Sequence, residues 1–258
     1  MIDHSLNIED RVAVVIGGTS GIGRALAVGL AKHGANVVAT GRREAEVDSA
    51  ASEIEALGRR TIRQTADAKK RVTIDALRDA ILAEFGHVDI LINAAGYTFK
   101  APTLGVDEER FAALMDTHLM SVLRACQSFH QTLVVSGHGR IINIASLGSF
   151  LAFHQVAAYC AAKTAILSLT RSLACEWAED GIVVNAIAPG VFPTELNKNL
   201  VMGTLRGQEI LMRTPMKRFG NPEELVGLAV LLSSDAVSFL TGQCIAVDGG
   251  YLASGVNS

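Results

Sequence analysis

The sequence is poor in cysteine and proline, and neither sign of charge dominates it. Its four cysteines form no CxxC pair and no cluster with histidine, so neither a disulfide framework nor a metal site is indicated. The 23 Lys and Arg residues are balanced by 26 Asp and Glu, which leaves no basic field to attract nucleic acid. Because there is no signal-peptide pattern and no run of about 18 apolar residues, we expect a cytoplasmic protein without a membrane partner.

Short β-branched runs alternate with longer segments of helical periodicity from Arg11 onward. This alternation is typical of βαβ units around a parallel sheet. The predicted strands cover residues 12–16, 36–40, 60–65, 88–93, 139–145, 182–188 and 244–247. The predicted helices cover residues 21–33, 45–57, 69–85, 107–135, 157–179 and 222–233. Because the strands are apolar on both faces, we expect one doubly wound α/β domain over residues 1–258, a seven-stranded parallel sheet with helices on both faces.

About thirty residues after the sixth predicted strand lack helical periodicity, because proline and glycine interrupt them repeatedly. A stretch of this length inside a compact domain usually has a function. We expect residues 191–219 to form a lid over a substrate.

A glycine-rich turn, GGTSGIG at residues 17–23, joins the first predicted strand to the first predicted helix. Unpaired backbone N–H groups and the positive end of the helix dipole meet at such a turn, which suits a pyrophosphate. The spacing differs from GxGxxG because Leu26 stands where a third glycine would fall, and a turn without a ligand is the alternative. The predicted phosphate-binding residues are Gly17, Thr19, Ser20, Gly21, Ile22 and Gly23.

Two arginines follow the second predicted strand, where an acidic residue would bind the 2′-hydroxyl of NAD. Position 41 is glycine, and Arg42 and Arg43 are suited to pair with the 2′-phosphate of NADP. NADP(H) is therefore favoured and NAD(H) remains possible, the alternative being that both arginines only solvate a turn.

Tyr159 and Lys163 stand four residues apart at the start of a predicted helix, so their side chains share one face. A Lys ammonium beside a phenol favours the phenolate and lowers a pKa that is otherwise about 10. Such a pair can exchange a proton near neutral pH.

Together with NAAG at residues 93–96, Ser146 thirteen residues before Tyr159, and PGVFPT at residues 189–194, these motifs resemble the short-chain dehydrogenase/reductase family. The resemblance runs from about Ile8 to Tyr251 and implies a Rossmann fold. It implies that Tyr159 is the general acid/base, that Lys163 binds the nicotinamide ribose and lowers the pKa of Tyr159, and that Ser146 binds the substrate oxygen.

The resemblance also implies further cofactor contacts. Asp67 matches a family position that contacts the adenine ring, and Asn93 matches a position beside the adenine-side ribose. Thr194 matches a position that binds the nicotinamide carboxamide. The remaining implied contacts are Ala68, Ala94, Gly96, Pro189, Gly190 and Phe192.

Two positions depart from the family pattern. Ile16 replaces the threonine that usually opens the glycine motif, and we expect little functional loss from it. His118 replaces an asparagine that interrupts a helix and holds a water connecting the lysine to solvent. Histidine can relay protons itself, so we expect His118 to keep the relay in altered form. The alternative is a histidine that only packs, with an impaired relay.

We therefore expect an NADP(H)-dependent oxidoreductase that interconverts a secondary alcohol and a ketone, with Ser146, Tyr159, Lys163 and His118 as catalytic residues. The segments PGVFPTEL and RTP-x3-RFGNPEELVG resemble the gluconate 5-dehydrogenase and 3-oxoacyl-carrier-protein reductase branch, so the substrate is a sugar acid, a polyol or a 3-oxoacyl compound. A non-catalytic NADP-binding sensor is the alternative. The family's paired helices imply a homodimer or homotetramer.

Overall fold

A parallel sheet organises the computed structural model, which describes residues 5–195 and 197–255. Within these ranges the sheet has six strands in the order β2-β1-β3-β4-β5-β6, and every neighbouring pair is parallel. The strands are β1 (Val12–Ile16), β2 (Asn36–Thr40), β3 (Ile90–Asn93), β4 (Arg140–Ile144), β5 (Val183–Pro189) and β6 (Cys244–Val247). The strand order reverses between β1 and β3, and ligands of doubly wound sheets bind at the carboxyl ends of strands at such a point.

The prediction of a seventh strand over residues 60–65 is wrong. This segment runs beside β2, but only isolated bonds join the two. Val37 N–H donates to the Arg60 carbonyl at 3.1 Å, Arg60 N–H donates to Asn36 Oδ1 at 3.0 Å, and the Thr40 hydroxyl donates to the Gln64 carbonyl at 2.7 Å. A continuous backbone ladder is what makes a strand, and here a side chain takes over part of it. The segment therefore covers the edge of β2 without extending the sheet.

Helices cover both faces of the sheet because alternate strand residues point to opposite sides. In β1, Val12, Val14 and Ile16 belong to one apolar cluster, whereas Ala13 and Val15 belong to another. The first cluster includes α3 (Arg71–Phe85), α5 (Ser121–Ser136) and α6 (Ala157–Glu176). The second includes α1 (Gly21–Lys32), α2 (Glu44–Ala56) and α9 (Val226–Ser233). None of the described helices combines the length and apolarity that a bilayer-spanning helix needs.

The helix predicted over residues 107–135 is interrupted. Helix α4 (Glu108–Met115) passes through a π-helical turn, Asp116–Met120, into α5. The turn contains His118, at the position where the sequence departs from its family pattern. Single π-helical turns within α-helices are frequently found at functional sites.

The predicted lid, residues 191–219, contains two short helices, α7 (Lys198–Val201) and α8 (Leu205–Arg213). Val201 and Ile210 pack in one apolar cluster with Leu147, from the loop after β4, and with Tyr251. The segment therefore lies against the loop that carries Ser146. Leu196, within the predicted lid, lies outside the described residues.

Candidate active site

The glycine-rich turn between β1 and α1 is tight because glycine alone fits two of its positions. Gly17 has φ +81° and Gly21 has φ +54°, a region that residues with a side chain rarely adopt. A Cβ on Gly23 would lie 2.0 Å from the Gly17 carbonyl oxygen. Ser20 caps α1 by position only, since its side chain makes no capping hydrogen bond. The first backbone N–H groups of α1 are thus left for an anion at the carboxyl edge of the sheet.

The beginning of the predicted lid reaches this turn. A Cβ on Gly21 would lie 3.3 Å from the Thr194 side chain. Asn197 holds the segment in place, because its Oδ1 accepts a hydrogen bond from Thr194 N–H at 2.8 Å and its Nδ2 donates to the Phe192 carbonyl at 3.0 Å. The Phe192 side chain is buried, so only its backbone can face a ligand. Sequence reasoning gave Asn197 no such positioning role.

The two arginines after β2 differ in their partners. Both are exposed, but Arg43 forms an ion pair with Glu46 at 3.5 Å. Arg42 has no carboxylate within 4.0 Å anywhere in the described ranges. Gly41 lies so close to Thr19 that a Cβ would be 2.8 Å from its hydroxyl. A side chain at position 41 would therefore require the Thr19 side chain to move, while Arg42 is exposed to an anion.

Asp67 follows residues 60–65, and Asn93 ends β3. Both residues lie at the carboxyl edge of the sheet that also bears the glycine-rich turn. The Asp67 carboxylate accepts a hydrogen bond from Lys69 N–H at 3.0 Å, which fixes the turn containing Ala68. The Asn93 amide points into the sheet interior and donates to Asn143 Oδ1 at 2.9 Å. The Nδ2 of Asn93 is therefore engaged inside the sheet. Ala94 N–H donates to the Ile16 carbonyl at 2.9 Å, which holds the chain beside the glycine-rich turn.

Pro189 ends β5, and the chain turns away at Gly190. Gly190 N–H donates to the Val247 carbonyl at 2.8 Å. A Cβ on Gly190 would lie 2.7 Å from Asp248 Cα, so the two chain segments pass each other without room for a side chain. This crossing directs residues 191–194 toward the glycine-rich turn.

Ser146, Tyr159 and Lys163 meet at the carboxyl end of β4. Ser146 follows β4, its hydroxyl accepts a hydrogen bond from Gly148 N–H at 3.1 Å, and this side chain favours ionisation of the Tyr159 phenol. Lys163 lies one turn after Tyr159 on α6, with its Nζ 5.8 Å from the centroid of the Tyr159 ring. The Lys163 ammonium donates to the Ile144 carbonyl at 2.6 Å, a partner that the sequence did not indicate.

Burial sets the protonation of this group. It lowers the pKa of Lys163 to about 8. It raises the pKa of Tyr159, and the hydrogen bond from Ser146 only partly opposes that rise. The net direction for Tyr159 is opposite to the lowering that the family resemblance implies, because desolvation of the phenolate outweighs the bond that favours it. At neutral pH the group therefore holds an ammonium and a protonated phenol.

His118 is a buried, neutral imidazole beside the phenol. Its ring meets the Tyr159 ring edge-on, with centroids 5.4 Å apart. Burial, with a smaller effect of the Lys163 charge, lowers the pKa of His118 to about 3. Its Nε2 lies 2.6 Å from the Tyr97 carbonyl oxygen and 3.2 Å from the Tyr97 backbone nitrogen, so it donates to the carbonyl when it carries the proton and accepts from the Tyr97 N–H when Nδ1 carries it. Its Nδ1 is buried and has no hydrogen-bond partner among the described residues.

The loop after β3 is shaped around this imidazole. A Cβ on Gly96 would lie 2.4 Å from His118 Cε1, so the loop packs directly on the ring. Tyr97 then provides the backbone carbonyl that His118 bonds. The sequence signal for Gly96 was the NAAG motif, whereas nothing in the sequence pointed to the Tyr97 backbone. Over the described ranges, no group of three or more His, Cys, Asp or Glu side chains is arranged to hold a metal ion.

The site fits a dinucleotide. Glycines at positions 17 and 23 let the turn pack where a Cβ would overlap backbone atoms, and α1 has backbone N–H groups that no side chain caps. Arg42 is exposed after β2, and Tyr159 and Lys163 lie at the carboxyl edge of the same sheet. The arrangement can hold a pyrophosphate at one end and move a proton at the other.

Comparison with known proteins extends over almost the whole chain. A family model described as "Enoyl-(Acyl carrier protein) reductase" matches residues 17–252. The 2-dehydro-3-deoxy-D-gluconate 5-dehydrogenase of Escherichia coli (strain K12) is 40% identical over 254 residues, which cover 98% of this chain and 100% of that protein. The gluconate 5-dehydrogenase of Gluconobacter oxydans (strain 621H) is 40% identical over 245 residues, covering 94% of both chains.

A solved structure shows the same fold. It is described as a gluconate 5-dehydrogenase from Burkholderia cenocepacia J2315 in complex with NADP and tartrate. It superposes with a TM-score of 0.93 at 36% identity, covering 97% of this chain and 98% of that chain.

Proposed function

This chain belongs to the short-chain dehydrogenase/reductase family, and on that premise we propose that it is an NADP(H)-dependent oxidoreductase that interconverts the secondary alcohol and ketone forms of a sugar acid. The observation that carries the proposal is the meeting of Ser146, Tyr159 and Lys163 at the sheet edge that also bears the glycine-rich turn. Binding a nucleotide alone does not require a buried ammonium beside a phenol.

The residues divide the chemistry among them. When bound, the nicotinamide ring supplies or accepts a hydride at the substrate carbon. Tyr159 gives a proton to the substrate oxygen in reduction and takes it back in oxidation. Ser146 donates a hydrogen bond to the same oxygen and stabilises the charge that develops on it. Lys163 favours the phenolate that remains, because its ammonium lies beside the phenol ring.

His118 acts in this scheme as a neutral ring. With a pKa of about 3 it does not become imidazolium at working pH. When Nε2 carries the proton, the buried Nδ1 accepts a hydrogen bond and orients a proton-carrying group beside the phenol, while the ring itself takes up no proton; this is the altered form of the relay. The unpartnered Nδ1 supports this role. A histidine that only packs against Gly96 is the alternative.

Arg42 is the residue proposed to select NADP(H), with the glycine-rich turn holding the pyrophosphate. This role is supported by the exposed guanidinium of Arg42, which has no carboxylate partner in the described ranges, whereas Arg43 is paired with Glu46. Arg42→Asp is expected to shift preference toward NADH by tenfold or more. Equal use of the two cofactors by the parent and the variant would remove this role from Arg42.

The substrate class rests on the similar proteins. Two of them bear the names of sugar-acid dehydrogenases, and the solved structure was obtained with tartrate, a hydroxy dicarboxylate. A polyol or a 3-oxoacyl compound is a second substrate class.

A cofactor-binding sensor without turnover is the second candidate function. The raised pKa of Tyr159 favours it, because a phenol that ionises less readily is a weaker base for alcohol oxidation.

We also propose that the protein forms a homodimer or homotetramer in the cytoplasm. Phe239, just before β6, is 102% exposed, and Val135 at the end of α5 is 71% exposed. Large exposed apolar side chains near helices and a sheet edge are typical of subunit contacts. Light scattering over a range of concentrations tests this, and a monomer throughout would contradict it.

The test of the function is a substrate panel with NADPH and NADH, followed by absorbance of the reduced nicotinamide. The panel contains sugar acids, polyols and 3-oxoacyl compounds. Turnover of a sugar acid supports the proposal, and cofactor binding without any turnover supports the sensor.

Tyr159→Phe is expected to lose turnover by at least about a hundredfold while cofactor affinity is kept, since only the proton donor is removed. Full activity in that variant would discard the mechanism.

A further inference from the structure

The segment that contains Ser146 is fastened to helix α6 on both sides of the serine. Before it, Ile144 ends β4, and its carbonyl accepts a hydrogen bond from the Lys163 ammonium at 2.6 Å. After it, the Ser149 hydroxyl donates to the backbone carbonyl of Lys163 at 2.7 Å. Two bonds to one residue of α6 therefore flank the serine that faces the substrate in the proposed reaction.

Ser149 also determines the direction of Ser146 through the chain. It ends a short 3-10 turn, Leu147–Ser149, which begins directly after Ser146. The Ser149 N–H donates to the Ser146 carbonyl at 3.0 Å, and the Gly148 N–H donates to the Ser146 hydroxyl at 3.1 Å. The second bond uses an acceptor lone pair of that hydroxyl and leaves its proton for another partner. The turn thus fixes both the backbone and the side chain of Ser146.

This 3-10 turn packs closely against one face of α6. A Cβ on Gly148 would lie 3.0 Å from the Cys160 Sγ. The Thr164 hydroxyl donates to the Cys160 carbonyl at 2.9 Å and lies 3.4 Å from the Ser149 carbonyl oxygen. Ser149 is itself buried, with 8% of its surface exposed. The position of Ser146 relative to the catalytic residues of α6 therefore depends on the contacts of this turn.

The two bonds that flank Ser146 differ in kind. The Lys163 ammonium has a pKa of about 8, and the family resemblance implies that it also binds the nicotinamide ribose. The Ser149 bond joins an uncharged hydroxyl to a peptide carbonyl. It therefore depends neither on the charge of Lys163 nor on the cofactor, and it can persist throughout a reaction cycle.

A hydrogen-bond donor stabilises a developing charge best when it is already aimed at the reacting oxygen. A displacement of about 1 Å in such a group can cost a hundredfold in rate. We propose that Ser149 is a positioning residue, which holds the Ser146 hydroxyl at the Tyr159 phenol by anchoring the 3-10 turn to the Lys163 carbonyl. This inference rests on the proposed function, in which Ser146 binds the substrate oxygen.

The experiment is a double-mutant cycle on the full chain with saturating NADP(H) and D-gluconate as substrate. It compares the parent, Ser149→Ala, Ser146→Ala and the variant with both substitutions. Ser234→Ala is the matched control, because Ser234 is also buried and its hydroxyl donates to the Leu231 carbonyl at 2.8 Å, at the opposite end of the sheet. Thermal unfolding confirms that each variant is folded.

Ser149→Ala is expected to lower kcat about tenfold while the Kd for NADPH stays near the parent value, because only the aim of Ser146 changes. In the Ser146→Ala background the same substitution should change kcat by less than about twofold, since no hydroxyl is left to position. Ser234→Ala should keep the parent kcat. The proposal is overturned if Ser149→Ala keeps the parent kcat, or if it lowers kcat by the same factor in both backgrounds.

A second readout requires no turnover. The Ser146 side chain favours ionisation of the Tyr159 phenol, so a displaced Ser146 should raise the pKa of that phenol. Fluorotyrosine is incorporated in place of tyrosine, and the fluorine NMR signal of position 159 is followed against pH. Ser149→Ala should raise this pKa toward that of Ser146→Ala, and the double variant should show no further rise.

Failure of this inference is distinguishable from failure of the proposed function. If the parent oxidises gluconate, the double-mutant cycle decides the role of Ser149. If the parent turns over no sugar acid, the proposed function fails, and the fluorine titration decides instead. A pKa at position 159 that rises in Ser149→Ala then supports the positioning role, and an unchanged pKa overturns it.

Discussion

Burial has opposite effects on the two titratable groups at the start of α6. It lowers the pKa of Lys163 to about 8 and raises the pKa of Tyr159. Both effects favour the uncharged form, as desolvation always does. At neutral pH the phenol therefore begins as a proton donor, which is the form that reduction of a carbonyl requires.

This protonation predicts different pH profiles for the two directions. Because the pKa of Tyr159 is raised, the phenolate fraction grows by up to tenfold per pH unit below that pKa. The oxidation rate should therefore rise from pH 6 toward the pKa of Lys163, about 8, above which the ammonium is increasingly lost, while the reduction rate stays nearly constant between pH 6 and pH 7. Initial rates with saturating cofactor measure both. An oxidation rate that does not change over this range would contradict the assignment of Tyr159.

His118 predicts a pH-dependent stability. Its pKa falls from 6.5 to about 3 on folding, so between these values the unfolded chain binds a proton that the folded chain does not. Stability therefore decreases as pH falls below 6.5, by about 2 kcal/mol at pH 5 from this group. His118→Asn should lose less stability than the parent between pH 7 and pH 5 in urea unfolding. Equal losses would show that His118 is not buried in neutral form.

The same variant separates the two roles of His118. If the imidazole relays protons, the pH–rate profile of His118→Asn should differ from that of the parent. If the ring only packs against Gly96 and Tyr97, the profile should be unchanged even where stability differs.

At the scale of elements, two local devices position the site. The π-helical turn Asp116–Met120 carries His118 to the loop after β3, and the glycine-rich turn brings α1 close to β1. Both depend on close backbone approach. Gly96 touches the imidazole, and Gly23 faces the Gly17 carbonyl.

Gly23→Ala tests the second device. Its Cβ would lie 2.0 Å from the Gly17 oxygen, so the turn must shift and the anion site at α1 is distorted. Cofactor affinity is expected to fall at least tenfold, measured by fluorescence titration of the reduced nucleotide. The matched control is Gly227→Ala in α9, where a Cβ meets nothing within 4 Å. The control should bind normally and gain up to about 1 kcal/mol of stability, and an equal loss in both variants would refute this account.

On the scale of the whole molecule, one buried carboxylate joins distant parts of the sheet at the end opposite the active site. Asp235 accepts hydrogen bonds from Arg11, before β1, at 2.6 Å and from Arg140, in β4, at 2.7 Å. Burial by itself would raise the pKa of Asp235, but the two arginines and His138 outweigh it and hold the pKa below its ordinary value. The carboxylate therefore stabilises the fold at neutral pH.

Asp235→Asn should leave Arg140 buried without a counter-charge and cost about 3–5 kcal/mol, measured by urea unfolding at pH 7. Because the pKa of Asp235 is depressed, its contribution is present above the unfolded value of 3.8 and lost as pH falls below it, so parent and variant should converge at low pH. Asp79→Asn, at an exposed pair with Arg78, is the control and should cost under about 1 kcal/mol. A loss in Asp235→Asn as small as the control's would show that the cluster is not stabilising.

The sequence alone determined what depends on short-range pattern. Short β-branched runs predicted six of the strands, glycine spacing predicted the turn before α1, and a four-residue interval put Tyr159 and Lys163 on one helical face. The family resemblance is confirmed by the full-length relatives, while the cytoplasmic location and the oligomeric state stay predictions.

Features that depend on neighbours distant in the chain arise from the folded packing alone. Residues 60–65 have strand-like composition, but a strand requires a partner ladder that β2 does not complete. Asn93 is the first residue of the NAAG motif, and its side-chain amide points into the sheet because Asn143 lies on the adjacent strand. The low pKa of His118 and the meeting of Arg206 with residues 151–154 likewise arise from burial and from chain crossings. Local periodicity contains no information about desolvation or about which surfaces will meet.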